Sequence, residues 1–242
     1  RFINIINFKN TMKIKRIPSG INGFDNMVQG GLPTQSIIGL KGPAGVGKSI
    51  FAMQFLLQGA KNNEKSVYIN LEEPRTNIDR TLDSMSFGKE FFDFEEKGLI
   101  KIICLNFSEF EKVYPTLLEK ISKDKKIKRL VVDSFNCFFS YLNFDKSEKV
   151  NYEIRKILSQ SFYSFRKKDM TTLLLLENGS SHNSQLNHYV SYMVDGLIHL
   201  DYISLGNIER RAFVPKMRWT KQFDSSLMLK ISKKGILIED DD

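Results

Sequence analysis

The chain has 242 residues, of which 41% are apolar and 26% charged, an ordinary balance for a soluble globular protein and enough for one sizeable α/β domain but short for two. No apolar run approaches the length of a membrane helix. The two cysteines, Cys104 and Cys137, each lie beside an apolar run and read as buried reduced thiols, so the expected setting is cytoplasmic with no membrane partner.

Residues 1–8 are mildly apolar but broken by Asn and lack a small-residue cleavage site, which argues against a signal peptide. Residues 1–11 are read as an N-terminal extension ahead of Met12, residues 12–238 as one domain, and 239–242 as an acidic tail. Two turn-rich stretches, 17–25 and 30–33, flank Phe24, Met27 and Val28, which share one side of a short helix. Ile37, Ile38 and Leu40 form a strand, and Ile50 to Ala60 a helix. Strands follow over 66–71, 99–105, 130–133 and 171–176, with helical spacing in 78–85, 110–121 and 150–165 between them. Residues 177–187 read as a polar loop. Four β-like runs then follow without helices, over 196–203, 209–219, 227–231 and 235–238. The expected fold class is therefore α/β, a mostly parallel sheet flanked by helices with a C-terminal antiparallel extension.

Between the first core strand and its helix stands Gly42-Pro43-Ala44-Gly45-Val46-Gly47-Lys48-Ser49, a G-x-x-x-x-G-K-S phosphate loop. Glycines at 42, 45 and 47 let the backbone take positive φ and turn its N–H groups around an anion. Lys48 is placed to reach the outer phosphates, Ser49 to ligate Mg²⁺, and the helix N-terminus adds partial positive charge. The dinucleotide fingerprint fails, because these glycines run G-x-x-G-x-G and Lys48-Ser49 would have no role in it. The loop therefore points to an ATP or GTP site.

Asp133 closes an apolar strand, the position from which a carboxylate joins the Mg²⁺ shell, and Ser134 can help orient water. Glu72 and Glu73 follow another strand at the sheet edge where open α/β sheets bind ligands. They are the candidates to orient or deprotonate the attacking water. Mutual repulsion is expected to raise one of the pair, while a charged helix start is the plainer alternative. His182, His188 and His199 show no metal spacing. The aromatics Phe135, Phe138, Phe139, Tyr141 and Phe144 lack interleaved Arg and read as packing rather than as a platform for single strands.

Together these motifs resemble the KaiC-like branch of the RecA superfamily. The match comprises Pro-x-Gly-x-x-Gly-Phe-Asp from Pro18, then Gly30-Gly31-Leu32-Pro33 and the phosphate loop. Leu71-Glu72-Glu73, Val131-Val132-Asp133-Ser134, Val194-Asp195-Gly196 and Lys216-Met217-Arg218-Trp219-Thr220 follow in order. The resemblance implies a RecA-type core, ATP and Mg²⁺ as ligands, and a homo-oligomeric ring, typically a hexamer, with ATP between subunits. It also implies that the carboxylate pair activates water while Lys216 and Arg218, on a strand at a subunit edge, reach a neighbour's γ-phosphate. Lys216, Arg218 and Thr220 alternate, which on a strand puts them on one face; a solvated face is the plainer alternative. Trp219 stands where the family usually has Gly, and Gln222 where a His often contacts nucleotide.

Three functions remain in play: a slow ATPase, a DNA recombination or repair accessory, and an ATP-gated assembly protein with an unidentified protein client. In RecA-type proteins DNA meets the loops after the fourth and fifth core strands. Here the second of these, 179–187, has no Lys or Arg, and the first has only Lys146 and Lys149. Since DNA affinity scales with phosphates neutralised, loop-mediated binding should be weak. The net +8 lies instead in 123–129, 166–168 and 210–221, as a patch or a solvated surface.

Overall fold

The computed structural model describes residues 14–140, 149–166, 169–178, 181–205, 207–221 and 223–239. The N-terminal extension, Tyr141, Phe144, Lys146, Lys167, Lys168, Gln222 and residues 240–242 lie outside them. In chain order the elements are β1 (Arg16–Ile17), α1 (Phe24–Met27), β2 (Leu32–Pro33), β3 (Ile37–Gly42), α2 (Lys48–Lys61), β4 (Lys65–Asn70), α3 (Arg75–Asp83), α4 (Gly88–Glu96), β5 (Ile100–Cys104) and α5 (Phe107–Lys123). They continue with β6 (Ile127–Asp133), α6 (Phe135–Ser140), α7 (Lys149–Arg166), β7 (Thr171–Glu177), α8 (Ser181–Met193), β8 (Gly196–Leu205), β9 (Asn207–Met217), β10 (Leu227–Ser232) and β11 (Gly235–Glu239).

The main sheet runs β11-β10-β9-β8-β3-β7-β6-β4-β5. From β8 to β5 the strands are parallel, and β9, β10 and β11 add antiparallel. The central strands are apolar throughout because both faces are covered. Alternate residues serve opposite sides. Ile38, Leu40, Val131, Leu173 and Leu175 pack with α2, α3 and α4, whereas Ile37, Leu130, Val132, Leu174 and Leu176 pack with α5, α7 and α8. The helix after β3 thus leaves to one face and those after β6 and β7 to the other, which opens a crevice at the carboxyl ends of these strands. The start of α5 is fixed locally: Asn106 Oδ1 accepts from Glu109 N at 3.0 Å, and Asn106 N donates to Glu109 Oε2 at 2.9 Å.

Several elements depart from the sequence reading: besides the short β1 and β2, the aromatic stretch Phe135–Ser140 forms the helix α6. Residues 177–187 are not a loop throughout, since α8 begins at Ser181 and runs to Met193. Its Ser-, Asn- and His-rich first turns mask the period, and its sheet-facing side is partly polar, with Asn187 buried beside Val190. The α4 helix went unread. It is short, bounded by Gly88 and Gly98, and held by Phe91, which is wholly buried.

Candidate nucleotide site

The loop after β3 is built as its composition requires at two of three glycines. Gly45 has φ +74° and Gly47 +114°, left-handed conformations that strain any side chain. Gly42 is different. It still belongs to β3 and is not among the positive-φ residues; a Cβ there would lie 2.4 Å from the Leu200 carbonyl oxygen of β8. Its glycine serves close strand approach, not the turn. Val46 is fully buried and anchors the loop to the core, whereas Ala44 is exposed. Gly47 is the N-cap of α2, so the first N–H groups of a fourteen-residue helix open onto the loop. Lys48 is almost completely buried, and its Nζ donates to the carbonyls of Gly42 and Pro43, both at 2.9 Å. Burial lowers its pKa, while the nearby carboxylates of Glu177, Asp133 and Glu72 oppose that shift.

Parallel register sets the ends of β4 and β6 side by side, Asn70 opposite Asp133. Ser49 Oγ donates to Asp133 Oδ2 at 3.1 Å, and the Tyr68 hydroxyl donates to the same oxygen. Burial pushes the Asp133 carboxyl up to about 6, against the Tyr68 hydrogen bond and with a contribution from Glu72. The same buried environment, together with Asp133, raises Tyr68 well above the usual phenol value. Asn70 Oδ1 accepts the Glu72 and Glu73 N–H groups at 2.8 and 2.9 Å and so holds the turn that carries both carboxylates. Ser134 Oγ donates to Glu72 Oε1, and Cys137 Sγ lies 3.1 Å from the same oxygen. Burial, and then the hydrogen bond to Glu72, push the Cys137 thiol up to about 12, which removes thiolate reactivity there.

Lys48, Ser49, Glu72, Asp133 and Ser134 therefore form one hydrogen-bonded and electrostatic cluster, with Glu73 joined through its backbone. Tyr68, Asn70, Cys137 and Glu177 belong to it too and were not read from the sequence. A polar residue ending an apolar strand was the available signal for Asn70 and Glu177, the same signal that marked Asp133. Behind Glu177, its N–H donates to Asn136 Oδ1 at 2.8 Å, and its carbonyl accepts from Asn187 Nδ2 at 2.7 Å.

The structure does not bring Lys216 and Arg218 to this cluster. β9 is antiparallel to β8 and ends with Met217 opposite Gly196, at the amino end of the parallel strands. It lies inside the sheet between β8 and β10. The strand stops at Met217, so Arg218 and Thr220 do not continue its alternation; Trp219 turns the chain with φ +59°. Lys216 Nζ donates to the Ser191 and Tyr192 carbonyls at 3.1 and 2.8 Å, at the end of α8 where a cation suits the helix dipole. Arg218 Nη1 donates to Asp195 Oδ1 at 3.1 Å, an oxygen shared with Arg166. Nor are all the basic stretches surface. Arg129 is fully buried, with Nε on Glu64 at 2.7 Å and Nη1 on the Pro18 and Phe55 carbonyls at 2.8 Å.

Oxygen donors from a hydroxyl and a carboxylate, Ser49 and Asp133, suit Mg²⁺, which takes one or two protein ligands and fills its octahedron with water and substrate phosphates. Among the described residues no group of three or more His, Cys, Asp or Glu is arranged to hold a metal ion without such help. No helix among them is long and apolar enough to cross a membrane.

Comparison with known proteins agrees with this fold. A family model described as "ATPase: KaiC" matches residues 17–242. A UPF0273 protein of Pyrococcus furiosus is 26% identical over 94% of this chain and 95% of its own length. The circadian clock protein KaiC2 of Synechocystis is 28% identical over 94% of this chain, which spans only 40% of that protein. Among solved structures, a KaiC-like protein of Pyrococcus horikoshii superposes with a TM-score of 0.74 at 27% identity, covering 94% of this chain and all of the other.

Proposed function

Because the chain belongs to the KaiC ATPase family, whose RecA-like core binds ATP, we propose that it is a Mg²⁺-dependent ATPase. Turnover is slow, and the working form is a ring with ATP held between subunits. The observation that carries the reading is the cluster at the carboxyl ends of β3, β4 and β6: Lys48, Ser49, Glu72, Asp133 and Ser134, linked through shared hydrogen bonds and mutual charge. In this reading the N–H groups from Gly42 to Ser49 cradle the phosphates, and Lys48 neutralises the outer ones. Ser49 and Asp133 would hold Mg²⁺, which would supply positive charge against that developing on the phosphates. Glu72, positioned by Ser134, accepts the proton of the attacking water, and Glu73 supports it. Lys216 and Arg218 lie at the opposite end of the sheet, so any contact they make with a γ-phosphate is with a neighbour's.

One observation supports a second reading, ATP as an assembly switch with little turnover: Glu72 Oε1 is engaged by both Ser134 and Cys137, which competes with its use as a base. The DNA-accessory alternative gains nothing, because α8, which replaces much of the expected loop, carries no Lys or Arg. ATP binding and single-turnover hydrolysis in the Glu72→Gln, Glu73→Gln variant separate the two main readings. Retained binding with hydrolysis reduced roughly 100-fold or more is expected for a lost base. Hydrolysis at the wild-type rate leaves the pair as a helix start. Loss of binding in Lys48→Ala, with the fold intact, is the control that the phosphate loop holds the nucleotide.

A further inference from the structure

On the opposite face of the sheet from α2, between α8 and β8, lies a cavity of about 560 Å³. Nothing in the ATP chemistry uses it. Its wall carries Lys41, His199, Asn187, Asn178, Ser191 and Asp201. A volume of this size suits a small molecule.

Two of these groups are hard to explain as core. Lys41 lies on β3, an interior strand whose neighbouring residues Ile38 and Leu40 are wholly buried. Parallel register sets it directly between Leu176 of β7 and His199 of β8. It makes no hydrogen bond or ion pair among the described residues. Lys41 itself is half-buried, so its ammonium is open to the cavity rather than sealed in the core. His199 packs its ring edge-on against Phe213, centroids 4.8 Å apart, while its Nε2 is buried with no partner among the described residues. Burial of a polar nitrogen without a partner is unfavourable. Both groups face the same cavity.

Part of the remaining wall is already engaged. Asn187 Oδ1 already accepts from Asn136 at 3.2 Å, and Asp201 Oδ1 from the Tyr202 N–H at 2.9 Å. Among the described residues nothing donates to Asp201 Oδ2, which stays available to a donor. We propose that this cavity binds a small anion, a carboxylate or phosphate head seated between Lys41 and His199, that also carries a hydroxyl or amino donor for Asp201. The ammonium gives a charge-assisted contact, and the His199 nitrogen supplies a second hydrogen bond with a fixed direction. Asp201 makes a bare polyanion unfavourable and so selects for the added donor. The cavity reaches the nucleotide cluster through Asn187, whose Nδ2 holds the Glu177 carbonyl. The proposal does not depend on ATP hydrolysis.

The test is calorimetric titration of the full chain with lactate, acetate and inorganic phosphate. Lactate supplies the anionic head and the hydroxyl, so it should bind at least about threefold more tightly than acetate. Lys41→Met should weaken lactate at least about tenfold, whereas Lys48→Met should leave it within about twofold, which separates this cavity from the phosphate loop. The phosphate arm is read in Lys48→Met, where the loop no longer competes, and binding there that Lys41→Met, Lys48→Met loses assigns phosphate to the cavity. If Lys41→Met does not fold, His199→Phe keeps the ring packing, removes the nitrogen and should weaken lactate at least about threefold. Any one of three results overturns the proposal: no saturable binding of lactate or phosphate up to about 10 mM, binding unchanged in a folded Lys41→Met, or binding only of a single-stranded oligonucleotide run alongside.

Discussion

The two ends of the parallel sheet are built on opposite principles. At the carboxyl end, groups are drawn together at a cost. Gly45 and Gly47 sit in left-handed conformations, Lys48 is buried against loop carbonyls, and the Asp133 carboxyl is pushed up to about 6 by burial. At the amino end the charges compensate one another. Asp195 is only 1% exposed, yet it accepts from the Ile37 N–H at 3.0 Å and from Arg166 and Arg218 at 3.1 Å, while Lys216 rests on the last carbonyls of α8. Perturbed, converging groups mark a place prepared for a ligand; a closed ion cluster can be structure alone. Arg218 is the exception that blurs the contrast, because it is half exposed and Arg166 could hold Asp195 without it.

The largest expected effect tests that exception. If Arg218 reaches a neighbour's γ-phosphate, Arg218→Ala should lower turnover by about 1,000-fold or more, as for other arginine fingers, with ATP still bound. Mixed with the Glu72→Gln, Glu73→Gln variant, it should recover activity. Some interfaces then pair an intact carboxylate site with an intact finger, provided labelled subunits are seen to exchange. Exchange without recovery, or full activity of Arg218→Ala alone, makes the amino end purely structural.

Next in size is the ion cluster itself. Asp195→Ala strips two cations and a backbone N–H of their partner, and should destabilise the fold by about 3–5 kcal/mol, read by denaturant unfolding. Arg218→Ala, which leaves Arg166 in place, should cost well under half of that. Equal losses would mean that Arg218 is the true counter-ion and is not free to serve a neighbour.

Much of this was legible in the chain, and the exceptions have physical causes. The phosphate loop, the strand ending in Asp133 and the change to antiparallel strands after β8 are local signals: a glycine spacing, an apolar run, a loss of helical period. The residues that complete the cluster are not local. Tyr68 and Asn70 matter only because parallel register sets β4 beside β6, and Glu177 only because β7 ends near Lys48. The α8 helix escaped because polar residues fill its first turns and Asn187 is buried through a hydrogen bond rather than through apolarity. Alternation misled at Arg218, where the strand had already ended.

Trp219 sharpens that last point. It holds φ +59°, is 54% exposed, and its carbonyl accepts from Arg16 at 2.8 Å. Trp219→Gly should relieve about 1–2 kcal/mol of left-handed strain. The greater freedom of Gly in the unfolded chain offsets about 0.5–1 kcal/mol of that. A net gain of about 0.5–1 kcal/mol is expected, measured as a higher denaturant midpoint with an unchanged slope. A loss would show that the indole packs against something worth more than the strain, and the amino end would then be more than an ion cluster.

The smallest effect lies at His199, on the strand that joins the two ends. Burial, and then the neighbouring charge of Lys41, lower its pKa from 6.5 to about 4, with Asp201 opposing. The folded state thus holds this ring neutral where the unfolded chain would protonate it. The sign follows: the unfolded chain binds more protons between these values, so this contribution to stability is complete above pH 6.5 and is lost as the pH falls toward 4. Because the ring is only partly buried, solvent screening keeps the loss below about 1 kcal/mol. Other groups titrate in the same window, so the quantity to measure is the difference between the stability–pH curves of wild type and His199→Phe. That difference should be flat above pH 6.5 and slope below it. In Lys41→Met the slope should begin at the same pH but end sooner, since the repelling ammonium is gone and the folded-state pKa lies nearer the unfolded one. Parallel curves for wild type and His199→Phe down to pH 4 would mean that water or an acceptor reaches the nitrogen, and β8 would then carry no buried charge-sensitive group between the two ends.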